Sequence, residues 1–166
     1  MQTTEPTTRV GVSRLGHIGL YARDLEALRD FYRDVLGLKV ADQDLDRGIV
    51  FMSSDPDSEH HELALARGRA TDDTVDMVQQ VSWHVDSVEA LQGFHHLFKE
   101  QGVKVQREVT HGNALSIYFF DPEGNRNEVY FSTGVPTQQP FSKEIDLGLP
   151  KDELLAENRR IAAERP

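Results

Sequence analysis

The 166-residue chain contains no cysteine. Disulfides and thiolate ligands are therefore excluded, and any metal must be held by His, Asp or Glu, which suit iron, manganese, nickel or zinc. Cations are scarce: 18 Lys and Arg stand against 28 Asp and Glu, for a formal net charge of -10. That balance, with no basic cluster, argues against a nucleic-acid or anionic-membrane partner. No apolar run nears the roughly 20 residues that span a bilayer. The first ten residues, MQTTEPTTRV, contain no apolar signal segment. The expectation is a cytoplasmic globular protein, whose 38% hydrophobic and 28% charged residues suffice for one sizeable core.

What is present is one pattern written twice. Arg14 to Val40 reads RLGHIGLYARDLEALRDFYRDVLGLKV, and Val81 to Val105 reads VSWHVDSVEALQGFHHLFKEQGVKV. Each copy runs strand, turn, helix with Glu-Ala-Leu, then Gly-x-Lys-Val. Asp24 and Ser87 are N-cap residues, and Gly37 and Gly102 stop the helices. Strands are expected near 15–21, 38–41, 48–53 and 61–66, and again near 81–85, 103–109, 114–120 and 127–131. Asp121-Pro122-Glu123-Gly124 fits a type I turn. The expected fold class is α+β: two βαβββ modules whose sheets curl around a shared metal cavity. Residues 1–13 form a polar, Thr-rich arm. A single domain covers 14–132, with halves 14–80 and 81–132. Residues 133–166 are an extension, not strand-like at first, with a helix near Lys151–Ala163. That helix has few apolar positions and is expected on the domain surface or against a second subunit.

The repeat sets His17 beside His84 and Glu62 beside Glu128. A carboxylate in an apolar strand such as NEVYF is costly to bury unless it is paired or metal-bound. His17, His84 and Glu128 are therefore the candidate metal ligands. Two imidazoles and one carboxylate leave open coordination positions and suit non-haem Fe(II), with Mn(II) as the other candidate.

The segments GHIGL, FYRDVLGL and HGNALSIYFFDPEGNRNEVYF resemble the vicinal oxygen chelate superfamily, which includes glyoxalase I, methylmalonyl-CoA epimerase, fosfomycin-resistance proteins and extradiol catechol dioxygenases. The resemblance covers roughly Arg14 to Ser132 and is greatest to the single-domain type I extradiol dioxygenases. It implies cleavage of an aromatic diol by O2. It also implies that His61 acts as acid-base and oxygen-stabilising residue, while His111 and Tyr118 hold the substrate oxygens. The second ligand motif of that family is often His-His, whereas this chain has Trp83-His84.

Adjacent strand residues face opposite ways, so a regular strand would turn only one of His61 and Glu62 inward. Glu62 inward would complete a four-ligand set with His17, His84 and Glu128, the pattern of a glyoxalase I or epimerase. A metal-free small-molecule-binding protein is the remaining alternative. No arginine is obviously aimed at a substrate carboxylate, which favours an apolar or bicyclic diol. A homodimer is expected, since closed two-fold dimers are the commonest oligomers.

Overall fold

The structure, a computed structural model, describes residues 16–69, 78–138 and 141–164. The Thr-rich arm lies outside the described residues, as does most of the polar loop after Arg67. The chain builds the same unit twice. β1 (Ile18–Ala22), α1 (Leu25–Asp34), β2 (Lys39–Asp44), β3 (Ile49–Ser53) and β4 (Leu63–Arg67) form the first. β5 (Val81–His84), α2 (Val88–Gln101), β6 (Val105–Thr110), β7 (Ala114–Phe120) and β8 (Arg126–Ser132) form the second. The sheets have orders β1-β4-β3-β2 and β5-β8-β7-β6, and a two-residue β9 (Lys143–Glu144) extends the latter. In each, the first strand runs parallel to the fourth and the other pairs are antiparallel. Even the bulges correspond, at Val40/Asp42 in β2 and Val105/Arg107 in β6.

Local chemistry explains the helices. The Asp24 carboxylate accepts from the Ala27 amide at 3.0 Å, and the Ser87 hydroxyl accepts from the Ala90 amide at 3.1 Å. Each cap satisfies an orphan donor of a first turn. Gly102 ends α2 in the left-handed region at φ 66°, which glycine adopts without a Cβ clash. Leu25, Leu28 and Tyr32 of α1 are buried with Leu20, Met52, Leu63 and Leu65. Leu91 and Phe98 of α2 pack with Leu115, Ile117, Phe119 and Val129. Phe31, Leu36 and Trp83 touch both clusters and join them.

The 121–124 turn locks the halves together. Asp121 Oδ1 accepts from the Glu123 and Asn125 amides at 3.0 and 2.8 Å. Its Oδ2 accepts from Asn125 Nδ2 at 2.7 Å and from Tyr32 Oη, on α1 of the other half, at 3.1 Å. Glu123 Oε1 accepts from the amides of Arg23 and Asp24 at the start of α1, at 2.5 and 2.8 Å.

One expectation about the tail needs correction. It is not strand-free, because β9 pairs with β6. Helix α3 (Lys151–Ala163) has the expected bounds and packs against the second half of the domain. Leu154, Asn158 and Ile161 are buried; Leu154 and Ile161 join the second core, and Asn158 Nδ2 donates to the Gly112 carbonyl at 2.9 Å. With Leu155 packed beside them, three apolar side chains suffice because the second core already offers a face to cover.

Candidate active site

The strands bury one face against the helices and leave the other for chemistry. In the second sheet the register aligns Ser82 of β5, Glu128 of β8, Tyr118 of β7 and Arg107 of β6 in one row. Glu128 is buried at 8% exposure. Its Oε2 accepts from the Ser82 hydroxyl at 2.6 Å and from Gln80 Nε2 at 3.0 Å. His111 stands just past β6, its Nε2 2.9 Å from Tyr118 Oη and 4.0 Å from Glu128 Oε1. Its Nδ1 lies 2.6 Å from the Phe141 carbonyl, which can only accept. Nδ1 therefore carries the proton, and in the neutral ring Nε2 is left to accept from the Tyr118 hydroxyl. Glu128, His111 and Tyr118 thus lie side by side on this face of the sheet.

Burial, then the neighbouring Glu128 carboxylate, push the Tyr118 phenol up to about 12, against the opposing pull of Arg126 and Arg107. A phenol whose folded pKa is raised lends stability that is fully present below about 10, its unfolded value, and is lost as pH rises through about 12. Absorbance titration at 295 nm is expected to show a late step near 12 that disappears in Tyr118→Phe. A curve unchanged by the substitution would refute the assignment.

In the first half, His17 and the pair His61–Glu62 come together at the entrance to β1 and β4. The strands begin at Ile18 and Leu63, later than expected, so His17, His61 and Glu62 all precede their strands. Alternation thus does not force a choice between His61 and Glu62. The His61 ring packs 4.3 Å from that of His17 and 4.6 Å from that of Phe51, centroid to centroid. Its Nδ1 is 3.0 Å from Nδ1 of His60. Burial first, then the nearby His17 and His60, hold the His61 pKa below that of an ordinary imidazole. Glu62 is bound by the Ser54 hydroxyl and amide at 2.6 and 2.7 Å, and the hydroxyl bond above all keeps it ionised.

A cavity of about 470 Å³ joins the halves, with His17, Ser54 and Glu62 on one side and Gln80, Ser82, His84 and Tyr130 on the other.

His84 does not hold the place the repeat assigned to it. His17 stands seven residues ahead of its N-cap Asp24, and His84 only three ahead of Ser87. The residue seven ahead of Ser87 is Gln80. Strand register agrees that His84 is displaced, since Ser82, not His84, pairs with Glu128. His84 is 46% exposed, stacks edge-on to Tyr130 and faces Asp86 at 3.6 Å. Gln80 was missed by matching the two copies on their histidines. Counting back from the two N-caps would have found it.

The sequence pattern of the Glyoxalase/Bleomycin resistance protein/Dioxygenase superfamily matches residues 14–129. The chain belongs to this superfamily. A manganese-dependent 2,3-dihydroxybiphenyl 1,2-dioxygenase of Geobacillus genomosp. 3 is 29% identical over 128 residues, 75% of this chain and 38% of that protein. Metapyrocatechase 2 of Cupriavidus necator is 34% identical over 121 residues, 70% of this chain and 36% of that protein. The chain thus spans well under half the length of these relatives. Lactoylglutathione lyase of Agrobacterium tumefaciens shares the fold, with a TM-score of 0.57 over 72% of this chain and 94% of that one, at 24% identity. Among the described residues no helix is long and apolar enough to cross a membrane.

The donors that this superfamily member brings to the cavity have suitable chemistry for a divalent cation. They are the His17 imidazole, the Glu62 carboxylate and the Gln80 carboxamide, with the Glu128 carboxylate directly behind Gln80. They are not drawn into a finished site. Among the described residues no three His, Asp or Glu side chains converge closely enough to hold a metal, so the expected trio of His17, His84 and Glu128 is not assembled here. Glu128 is occupied by Gln80 and Ser82, and Gln80 Oε1 accepts from Arg126 at 2.7 Å.

Proposed function

We propose that the chain is an extradiol-type dioxygenase, opening an aromatic diol beside its hydroxyls with O2 and a divalent metal, Fe(II) or Mn(II). The observation that carries this reading is the contact of His111 with Tyr118 at 2.9 Å beside the buried Glu128. An imidazole and a phenol on one carboxylate are suited to holding the oxygens of a diol. Relatives carrying dioxygenase names support it. His17 and Glu128 are the donors proposed for the metal, with Glu62 and Gln80 next to them. When bound, the metal supplies the positive charge that keeps the diol ionised and a place for O2.

The protein's own groups then divide the work. Tyr118 and His111 orient the diol oxygens through hydrogen bonds and stabilise the ionised form. His61, with its pKa depressed, starts as a neutral imidazole able to accept the diol proton and return it later. The product retains both atoms of O2 as a yellow ring-opened semialdehyde.

One observation favours a second reading. Glu62 shares the cavity wall with His17, which gives the donor count of an isomerase or lyase of the glyoxalase kind. The test combines metal analysis with oxygen uptake on 2,3-dihydroxybiphenyl, using anaerobically handled, iron-loaded protein. The dioxygenase reading expects oxygen consumption by the wild type, with Glu62→Gln retaining both metal and uptake. Loss of metal in Glu62→Gln, with no uptake by the wild type, would transfer the assignment to the isomerase.

A further inference from the structure

We propose that the C-terminal extension completes the candidate active site: Asn158 of α3 and the strap ahead of that helix fix the place and the tautomer of His111. Asn158 is thereby a positioning residue. The use made of His111 rests on the diol reading above; its positioning rests on separate contacts. The extension lies past residue 129, where the superfamily pattern stops.

The first observation is an asparagine where an apolar residue would pack. Leu154, Asn158 and Ile161 are spaced i, i+4 and i+7 along one face of α3. Asn158 is fully buried on that face, between two side chains of the second core. A carboxamide there costs free energy unless both its ends are bonded. Both ends are used, and on the two residues that flank His111. The Thr110 hydroxyl donates to Asn158 Oδ1, and Asn158 Nδ2 donates to the Gly112 carbonyl at 2.9 Å. Thr110 is itself fully buried, and its hydroxyl also accepts from the Gly112 amide at 2.8 Å. Helix packing alone does not call for this residue type.

The second observation is the strap between β8 and α3. β9 pairs Lys143 with Thr110, the last residue of β6. Two residues ahead of Lys143, the Phe141 carbonyl meets His111 Nδ1 at 2.6 Å. Further along, Gln92 Nε2 of α2 donates to the carbonyls of Leu147 and Leu149 at 2.8 and 2.7 Å and ties the strap down. Gly112 turns the chain just after His111 with φ 75°, and a Cβ there would run into Thr137 of the extension.

Together these contacts leave the ring one arrangement. The Phe141 carbonyl can only accept, so Nδ1 carries the proton and Nε2 faces Tyr118 Oη at 2.9 Å. In that form Nε2 is the nitrogen able to accept a proton from a diol hydroxyl. An imidazole released from the carbonyl would exchange its proton between the two nitrogens and present a donor or an acceptor at the same place.

Long-range proton–nitrogen correlation NMR of the full chain reads the tautomer without metal, diol or O2, at about pH 9, where an ordinary imidazole of pKa about 6.5 is neutral. The wild type is expected to show a protonated Nδ1 and an unprotonated Nε2 at His111. Asn158→Ala and Thr110→Val should both convert this to a mixture of the two tautomers. Thr110→Ser keeps the hydroxyl and should keep the wild-type pattern. Ile161→Val removes one core methyl from the same helix face, weakens α3 by packing alone, and should not change the tautomer. Thr110→Val keeps nearly the same shape, so it tests the clamp even if Asn158→Ala loses stability. A single tautomer retained in both Asn158→Ala and Thr110→Val would overturn the proposal, as would equal mixing in Ile161→Val or Thr110→Ser. Oxygen uptake enters neither result, so failure of the dioxygenase reading is separately visible.

Discussion

His61→Phe is expected to lower turnover of an aromatic diol by about 10²–10⁴-fold, the scale of a positioned acid or base, while leaving metal content unchanged. Phenylalanine keeps the flat ring that packs 4.3 Å from His17 and 4.6 Å from Phe51, so the packing beside His17 should stand. What it removes is the titrating nitrogen. Burial and the adjacent His17 and His60 already favour the neutral form of that ring, as a group that must first accept a proton requires. The measurement is oxygen consumption at saturating diol beside metal analysis of the same preparation. Activity within a few-fold of wild type would remove His61 from the chemistry. Loss of metal together with activity would make it a ligand instead.

The second large effect concerns the fold that carries the site. Asp121→Ala is expected to destabilise the protein by about 3–5 kcal/mol, because a buried acceptor of several hydrogen bonds is removed and its donors remain. Those donors are the amides of Glu123 and Asn125, the Asn125 side chain and the Tyr32 hydroxyl. Tyr32 belongs to the other half, so the loss loosens the joint as well as the turn. Asp86→Ala is the control, since that side chain is fully exposed. Urea unfolding should show a much lower midpoint for Asp121→Ala and little change for Asp86→Ala. A difference under about 1 kcal/mol would show that the turn does not depend on this carboxylate. A loss of that size consumes much of the 5–15 kcal/mol typical of a domain.

Much of the architecture was legible because its causes are local. Asp24 and Ser87 cap the helices with their own side chains, Gly102 ends α2, and Asp121 closes the turn to which it belongs. The Glu128, Tyr118 and His111 grouping was legible too. It follows from one antiparallel pairing, and Glu128 and Tyr118 are direct partners across β7 and β8.

The rest depended on distances that no local pattern sets. His84 looked equivalent to His17, yet a displacement along a strand moves a side chain by one pleat for every two residues, and the two N-caps show that Gln80 holds the equivalent place. His61 and Glu62 seemed exclusive only while the strand was assumed to include them. β4 starts at Leu63, and ahead of the ladder both side chains reach the same end of the sheet.

The amino-acid sequence by itself determined two βαβββ units, their caps and turns, and a supply of His, Glu and Tyr suited to metal and diol chemistry. Those follow from hydrogen bonds and side-chain periodicity within a few residues. Only the tertiary structure decided that Gln80 rather than His84 backs Glu128 and that α3 seals the second core. Both are contacts between distant segments, and strand register selects the first: a slip of one residue would turn the same side chains to the opposite face.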